Sequence, residues 1–373
     1  MDPFSEKKVL HREDKLAKNR GLGLWEKYLT LWGFLCIVAG IALGRIFPGL
    51  SVALSRLEIA KVSIPIALCL FWMIYPIMVQ IDFRRVVVAG RMPKPIATTL
   101  IANWGIKPFT MAFFAWLFLG VLFRNHIPAE TALQYRAGMI LLGVAPCTAM
   151  VLMWSYLARG NMAHTLVMCA INSLSMVILY APLSGLLLGV SGIPIPWATI
   201  AFSVLIYIGV PLAAGYLTRT ISIKKRGLAW FNHRVVMPLK IVSVIALLAT
   251  LVLIFAFQGH VIVSLPAAIG MITVGIFANI IVVFVLTYLV ARVIGVGYED
   301  AAPSAIIAGS NHFEVAIAVA TTLFGVESGA ALATVVGVLT EVPIMLFLVW
   351  LCKSTRWFFR AEKTTRVDGS MLT

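Results

Sequence analysis

Apolar runs close to the ~20 residues needed to cross a bilayer core recur along the chain, separated by short polar stretches. They span Leu24 to Phe47, Val62 to Ile81, Ile96 to Phe123, Ala137 to Ala158, Ala163 to Leu188, Trp197 to Leu217, Val235 to Phe257, Leu265 to Ala291, Ala301 to Phe324 and Gly329 to Leu351. A segment surrounded by lipid must satisfy its own backbone polar groups, so runs of this length predict helices. The expected fold is an all-α polytopic membrane protein with ten transmembrane helices.

Two runs are interrupted near their centres. In the fourth, Gly143-Val144-Ala145-Pro146-Cys147-Thr148-Ala149-Met150 places a helix-breaking proline, a thiol and a hydroxyl at mid-span. In the ninth, Gly309-Ser310-Asn311-His312-Phe313-Glu314 forms a second polar interruption. Ala102-Asn103 in the third run and Ala278-Asn279 in the eighth stand in matching places ahead of them. Ten helices therefore divide into two sets of five, and an odd number of crossings inverts the second set. The predicted organisation is a tail at 1–23, a first repeat at 24–190, an inverted second repeat at 191–352 and a tail at 353–373. Unwound backbone is tolerated at membrane depth only where it is buried in protein or lines a cavity, so paired breaks point to a solute site.

Composition supports membrane insertion, with 61% hydrophobic residues and 12% charged and a mean hydropathy of +0.98. A soluble globular protein is excluded. The net charge of +15 would suit nucleic acid, but such a footprint should cluster on a domain with its own fold. Topology accounts for the charge instead: 23 of the 30 Lys and Arg residues fall on one side of the predicted spans. Because cationic loops stay in the cytoplasm, both termini are expected there, in a cell-membrane protein. Met1 to Gly23 lacks the apolar core of a cleavable signal and reads as a cytoplasmic tail. The five cysteines contain no Cys-x-x-Cys pair, so a disulfide framework is not expected. Cys36, Cys69 and Cys352 read as small buried hydrophobes, and Cys169 as packing or a relay thiol.

Cys147 follows Pro146, whose ring and missing N–H open the backbone. Soft thiolates select soft partners. Trivalent arsenic and antimony are thiophilic, whereas sodium, sugars and carboxylates gain little from sulfur. Cys147 is therefore a candidate transient metalloid ligand, set against its use as a small residue at a helix crossing. Glu314 puts a carboxyl near the membrane centre, where an acid is functional by default. It is the candidate proton-coupling group, with Glu341 in Thr340-Glu341-Val342-Pro343 as the second acid. Lys107 in Gly105-Ile106-Lys107-Pro108 is equally deep, and an ion pair with Glu341 or Glu314 would lower its cost and leave the other acid free to titrate. Thr148, Ser310 and Asn311 at the breaks are candidate substrate-binding residues, whereas Asn103, Asn172 and Asn279 read as helix-to-helix glue. A Ser310–His312 hydrolase is disfavoured, because helix positions two apart point to different faces.

The run from Gly143 to Met150, followed by Trp154-Ser155 and Gly160-Asn161, resembles the signature of the arsenical-resistance-three arsenite efflux permeases, within the bile-acid/arsenite/riboflavin transporter superfamily. The likeness extends through Asn311-His312-Phe313-Glu314 and Glu341-Val342-Pro343. It implies export of arsenite, sometimes antimonite, in exchange for protons, with Cys147 as the essential thiol and Glu314 as the ninth-span acid. No cofactor is called for. It further implies a core domain of spans three to five and eight to ten around crossed broken helices four and nine. Spans one, two, six and seven would form a panel domain beside it. A sodium-coupled organic-anion carrier is the alternative within the superfamily, and a homo-oligomer is compatible with either.

Overall fold

The computed structural model describes residues 29–47, 58–59, 62–81, 93–148, 150–193 and 197–359. The tail expected at 1–23, the cations of segment 82–92, Ala149 and the chain from 360 onward lie outside the described residues. Helices α1 (Leu29–Ile46) and α2 (Ile64–Gln80) are joined through a two-residue antiparallel pair, β1 (Glu58–Ile59) with β2 (Val62–Ser63). Among the described residues the chain is otherwise helical, as expected, and the inner residues of this short pair, Ile59 and Val62, are of the β-favouring kind. Then come α3 (Pro93–Leu122), α4 (Ala129–Val144), α5 (Met150–Leu157), α6 (Met162–Val190), α7 (Trp197–Val204) and α8 (Val210–Phe231). The remainder is α9 (Met237–Ser264), α10 (Pro266–Val293), α11 (Tyr298–Gly309), α12 (Phe313–Phe324) and α13 (Gly329–Ser354). Several of these helices, α3, α6, α10 and α13 among them, are long and apolar enough to cross a membrane.

Helix ends follow local chemistry. Asn161 caps α6 by accepting hydrogen bonds from the Ala163 and His164 N–H groups, and Ser328 caps α13 through the Ala331 N–H. Both satisfy donors that a helix N-terminus leaves unpaired. Helix α8 outruns its apolar stretch, which ends at Leu217, and continues through Lys224, Lys225 and Arg226 to a left-handed turn at Gly227. Straight-chain cations lose little rotamer freedom in a helix, so a polar continuation of an apolar run has no need to stop. Helix α3 contains wide π turns at Ile101–Ile106 and Trp116–Leu122. The first immediately precedes Lys107, which is buried.

Helix α9 packs along α1 and α2, and α8 packs on α2. In the other neighbourhood α3 meets α4 and α10, α4 meets α13, and α11 meets α10. Ile101, Phe109, Phe113 and Trp116 of α3 and Phe277 of α10 face outward, as expected where lipid is the solvent. Helices α4 and α13 approach so closely at Gly138 that a Cβ there would collide with the Ala330 carbonyl. Small residues permit such backbone contact in membrane bundles. Gly138→Val should lower stability by about 1–3 kcal/mol through overpacking, read as a fall in thermal midpoint of the detergent-solubilised protein. Gly270→Ala in α10, where nothing crowds an added Cβ, should leave the midpoint unchanged or slightly raised.

Candidate functional site

Both interruptions are real breaks in the helices, and they meet. Helix α4 ends at Val144, and Ala145 turns to an extended conformation with φ −91° and ψ 101°. Pro146 then offers no N–H to continue the ladder, and helix starts again at Met150 as α5. In the second break α11 ends at Gly309, Ser310 is extended with φ −87° and ψ 146°, and α12 starts at Phe313. The two unwound segments pair with each other as an antiparallel bridge between Pro146 and Asn311. The His312 N–H donates to the Ala145 carbonyl at 2.9 Å.

Three side chains complete the crossing. Lys107 Nζ donates to the Ser310 carbonyl and, at 3.4 Å, to the Ala145 carbonyl, so one ammonium bonds both breaks. Glu341 faces the second break: it accepts from Ser310 Oγ and, at 3.2 Å on each oxygen, from the Asn311 N–H. Asn172 Nδ2 donates to the Cys147 carbonyl at 3.2 Å, and Asn103 Nδ2 holds Asn172 Oδ1 at 3.1 Å. Asn279, in the place matching Asn103, bonds Thr110 Oγ1 at 2.7 Å and the Lys107 carbonyl at 3.4 Å. The charges match the helix ends they meet. Lys107 sits on the C-terminal ends of α4 and α11, and Glu314 lies in the first turn of α12. A helix carries roughly half a negative charge at its C-terminus and half a positive charge at its N-terminus.

Lys107, Thr148, Ser310 and Asn311 are thus brought to one crossing with Glu341, all of them buried. Cys147 is 2% exposed and packs with Val151, Met168, Cys169 and Ile307. Glu314, in the first turn of α12, has Oε2 2.8 Å from His312 Nδ1. The direct Lys107–carboxylate pair expected from sequence is replaced by a relay in which Ser310 stands between the ammonium and Glu341. Sequence reasoning missed His312 as the neighbour of Glu314. His312 is the residue just before α12 and leaves helical geometry with φ −93° and ψ 78°, so the helical rule for positions two apart does not apply to it and Glu314. It also reduced Asn172 to glue, although this residue orients the Cys147 carbonyl. Thr148 Oγ1, both side-chain polar atoms of Asn311 and His312 Nε2 are buried with no hydrogen-bond partner among the described residues. Buried polar groups are normally paired, so this cluster is equipped to receive hydroxyl groups.

The sequence pattern of the Sodium Bile acid symporter family matches residues 67–265. The chain is 53% identical over 358 residues to the uncharacterized transporter slr0944 of Synechocystis, covering 93% of this chain and 94% of that protein. It is 42% identical over 347 residues to the arsenical-resistance protein Acr3 of Alkaliphilus metalliredigens, covering 93% and 97%. The chain belongs to this symporter family and is an Acr3-type permease. A second arsenical-resistance protein Acr3, from Corynebacterium glutamicum, is 34% identical over 343 residues, covering 90% of each chain. The permease is a multi-pass membrane transporter and not an enzyme. Its crossing depends on Glu341 as an acceptor. Glu341→Ala should cost about 1–3 kcal/mol for each buried donor it strands, seen as a lower thermal midpoint, while Glu341→Gln, which keeps one acceptor oxygen, should recover most of the loss.

Proposed function

We propose that the permease exports arsenite from the cytoplasm across the cell membrane in exchange for protons. The observation that carries this reading is the break itself: a thiol residue, Cys147, beside unpaired buried groups on Thr148, Asn311 and His312. Neutral As(OH)3 presents three hydroxyls and a thiophilic centre, which such a lining complements. In the thiol step an As–S bond forms as an As–O bond breaks, and the thiol proton leaves with the hydroxide as water. The reverse step releases the solute. A single sulfur with hydroxyl-bonding neighbours keeps binding weak enough for release, and antimonite would use the same chemistry. Relatives named arsenical-resistance proteins, matched over almost their whole length, support this assignment.

Glu314 is the proposed coupling acid, since its carboxyl is buried with Oε2 against the His312 imidazole. Glu341, tied to Ser310 and Asn311, is the second acid, poised to sense rearrangement of the breaks. The architecture in this reading has ten spans as two inverted halves, 24–190 and 191–352, and tails at 1–23 and 353–373 in the cytoplasm. A core around the crossing moves against a panel built from spans one, two, six and seven, that is α1, α2, α7, α8 and α9. The packing of α9 on α1 and α2 supports that division.

In everted vesicles, arsenite uptake should fall at least about tenfold, the scale of a lost ligand contact, in Cys147→Ser and in Glu314→Gln. Uptake at the unaltered rate in Cys147→Ser removes the thiol from the mechanism, and uptake that survives collapse of the pH gradient removes the protons. Antimonite in place of arsenite should respond to the Cys147→Ser change in the same direction.

A further inference from the structure

Lys107 occupies a position that the backbone reserves for a small cation. Two helices, α4 and α11, end at the crossing with their C-terminal poles converging, each worth roughly half a negative charge. The Ala145 and Ser310 carbonyls point at one spot, and the Glu341 carboxylate lies one hydroxyl beyond it. Unwound carbonyls, half-helix C-termini and a carboxylate are the elements from which membrane proteins build alkali-cation sites. Here the spot is filled by an ammonium on a four-carbon stem, and that ammonium is 1% exposed as a residue. Its stem enters from α3, where Asn279 donates to the backbone carbonyl of Lys107.

We propose that the crossing is a monovalent-cation site permanently filled by Lys107, and that removing this side chain converts it into a site for free Na+ or K+. The permease thereby carries its own counter-ion and needs no alkali cation to hold the two breaks together. This rests on reading the crossing as the transport centre, and it adds the reason why alkali ions are dispensable there. A Lys107→Ala substitution vacates the volume of the stem as well as the charge, leaving room for an ion with its water beside the same carbonyls.

The test uses the purified full chain and no arsenite, so its failure leaves the export reading standing. Thermal midpoints are followed by the fluorescence of the ten tryptophans in choline, sodium or potassium chloride at equal ionic strength. The unaltered protein should melt at the same temperature in all three salts, and so should Lys107→Arg, which keeps the cation. Lys107→Ala should be destabilised in choline and regain about 2–4 °C, saturably, in sodium or potassium. The double variant Lys107→Ala/Glu341→Gln should lose that response. Saturable stabilisation of the unaltered protein by an alkali ion overturns the proposal, as does a folded Lys107→Ala protein indifferent to all three salts. Should Lys107→Ala fail to fold, the decision falls to the unaltered protein and Lys107→Met, which keeps most of the stem and removes the charge. An alkali-ion requirement for Lys107→Met supports the proposal, and stability of that variant in choline equal to the unaltered protein overturns it.

Discussion

Backbone that leaves a helix inside an apolar bundle must find partners for every N–H and C=O it frees, because neither lipid nor hydrocarbon side chains can supply them. In this permease that constraint is met by bringing two breaks to the same place. Pro146 and Asn311 pair as a bridge, His312 closes onto Ala145, and Lys107, Glu341 and Asn172 take groups the bridge leaves over. Neither break satisfies itself. The buried polar residues that line them make sense only as a joint solution, and the helices around them are positioned by it.

The two breaks are unlike in chemistry although they are alike in geometry. The first supplies a thiol and a hydroxyl immediately ahead of α5. The second supplies an amide, an imidazole and a carboxyl ahead of α12. Under the proposed function this divides labour between a soft contact for the solute and a titratable pair for the proton. The breaks share hydrogen bonds directly, so under that reading a rearrangement of one reaches the other without a long chain of intermediaries.

Much of this was legible in the chain. Pro146 in a greasy run announces a break, and Glu314 and Lys107 are too deep to be incidental. What could not be read is which freed carbonyl each donor would choose. Lys107 was expected on a carboxylate, but two helix C-termini presented it with carbonyls first, and no linear pattern records where helix ends converge. His312 was weighed only against Ser310, as a hydrolase pair, so its contact with Glu314 across the start of α12 went unread. The helix that continues past Leu217 to Gly227 was hidden for a simpler reason: a polar stretch bounds an apolar run without ending its helix.

A single side chain that grips both unwound segments has a mechanical meaning as well. Lys107 bonds the Ala145 and Ser310 carbonyls at once, and its stem is too short to follow them if they separate by more than a bond length or so. The two breaks are therefore clamped to each other, and in the proposed motion of the core they would travel as one rigid piece.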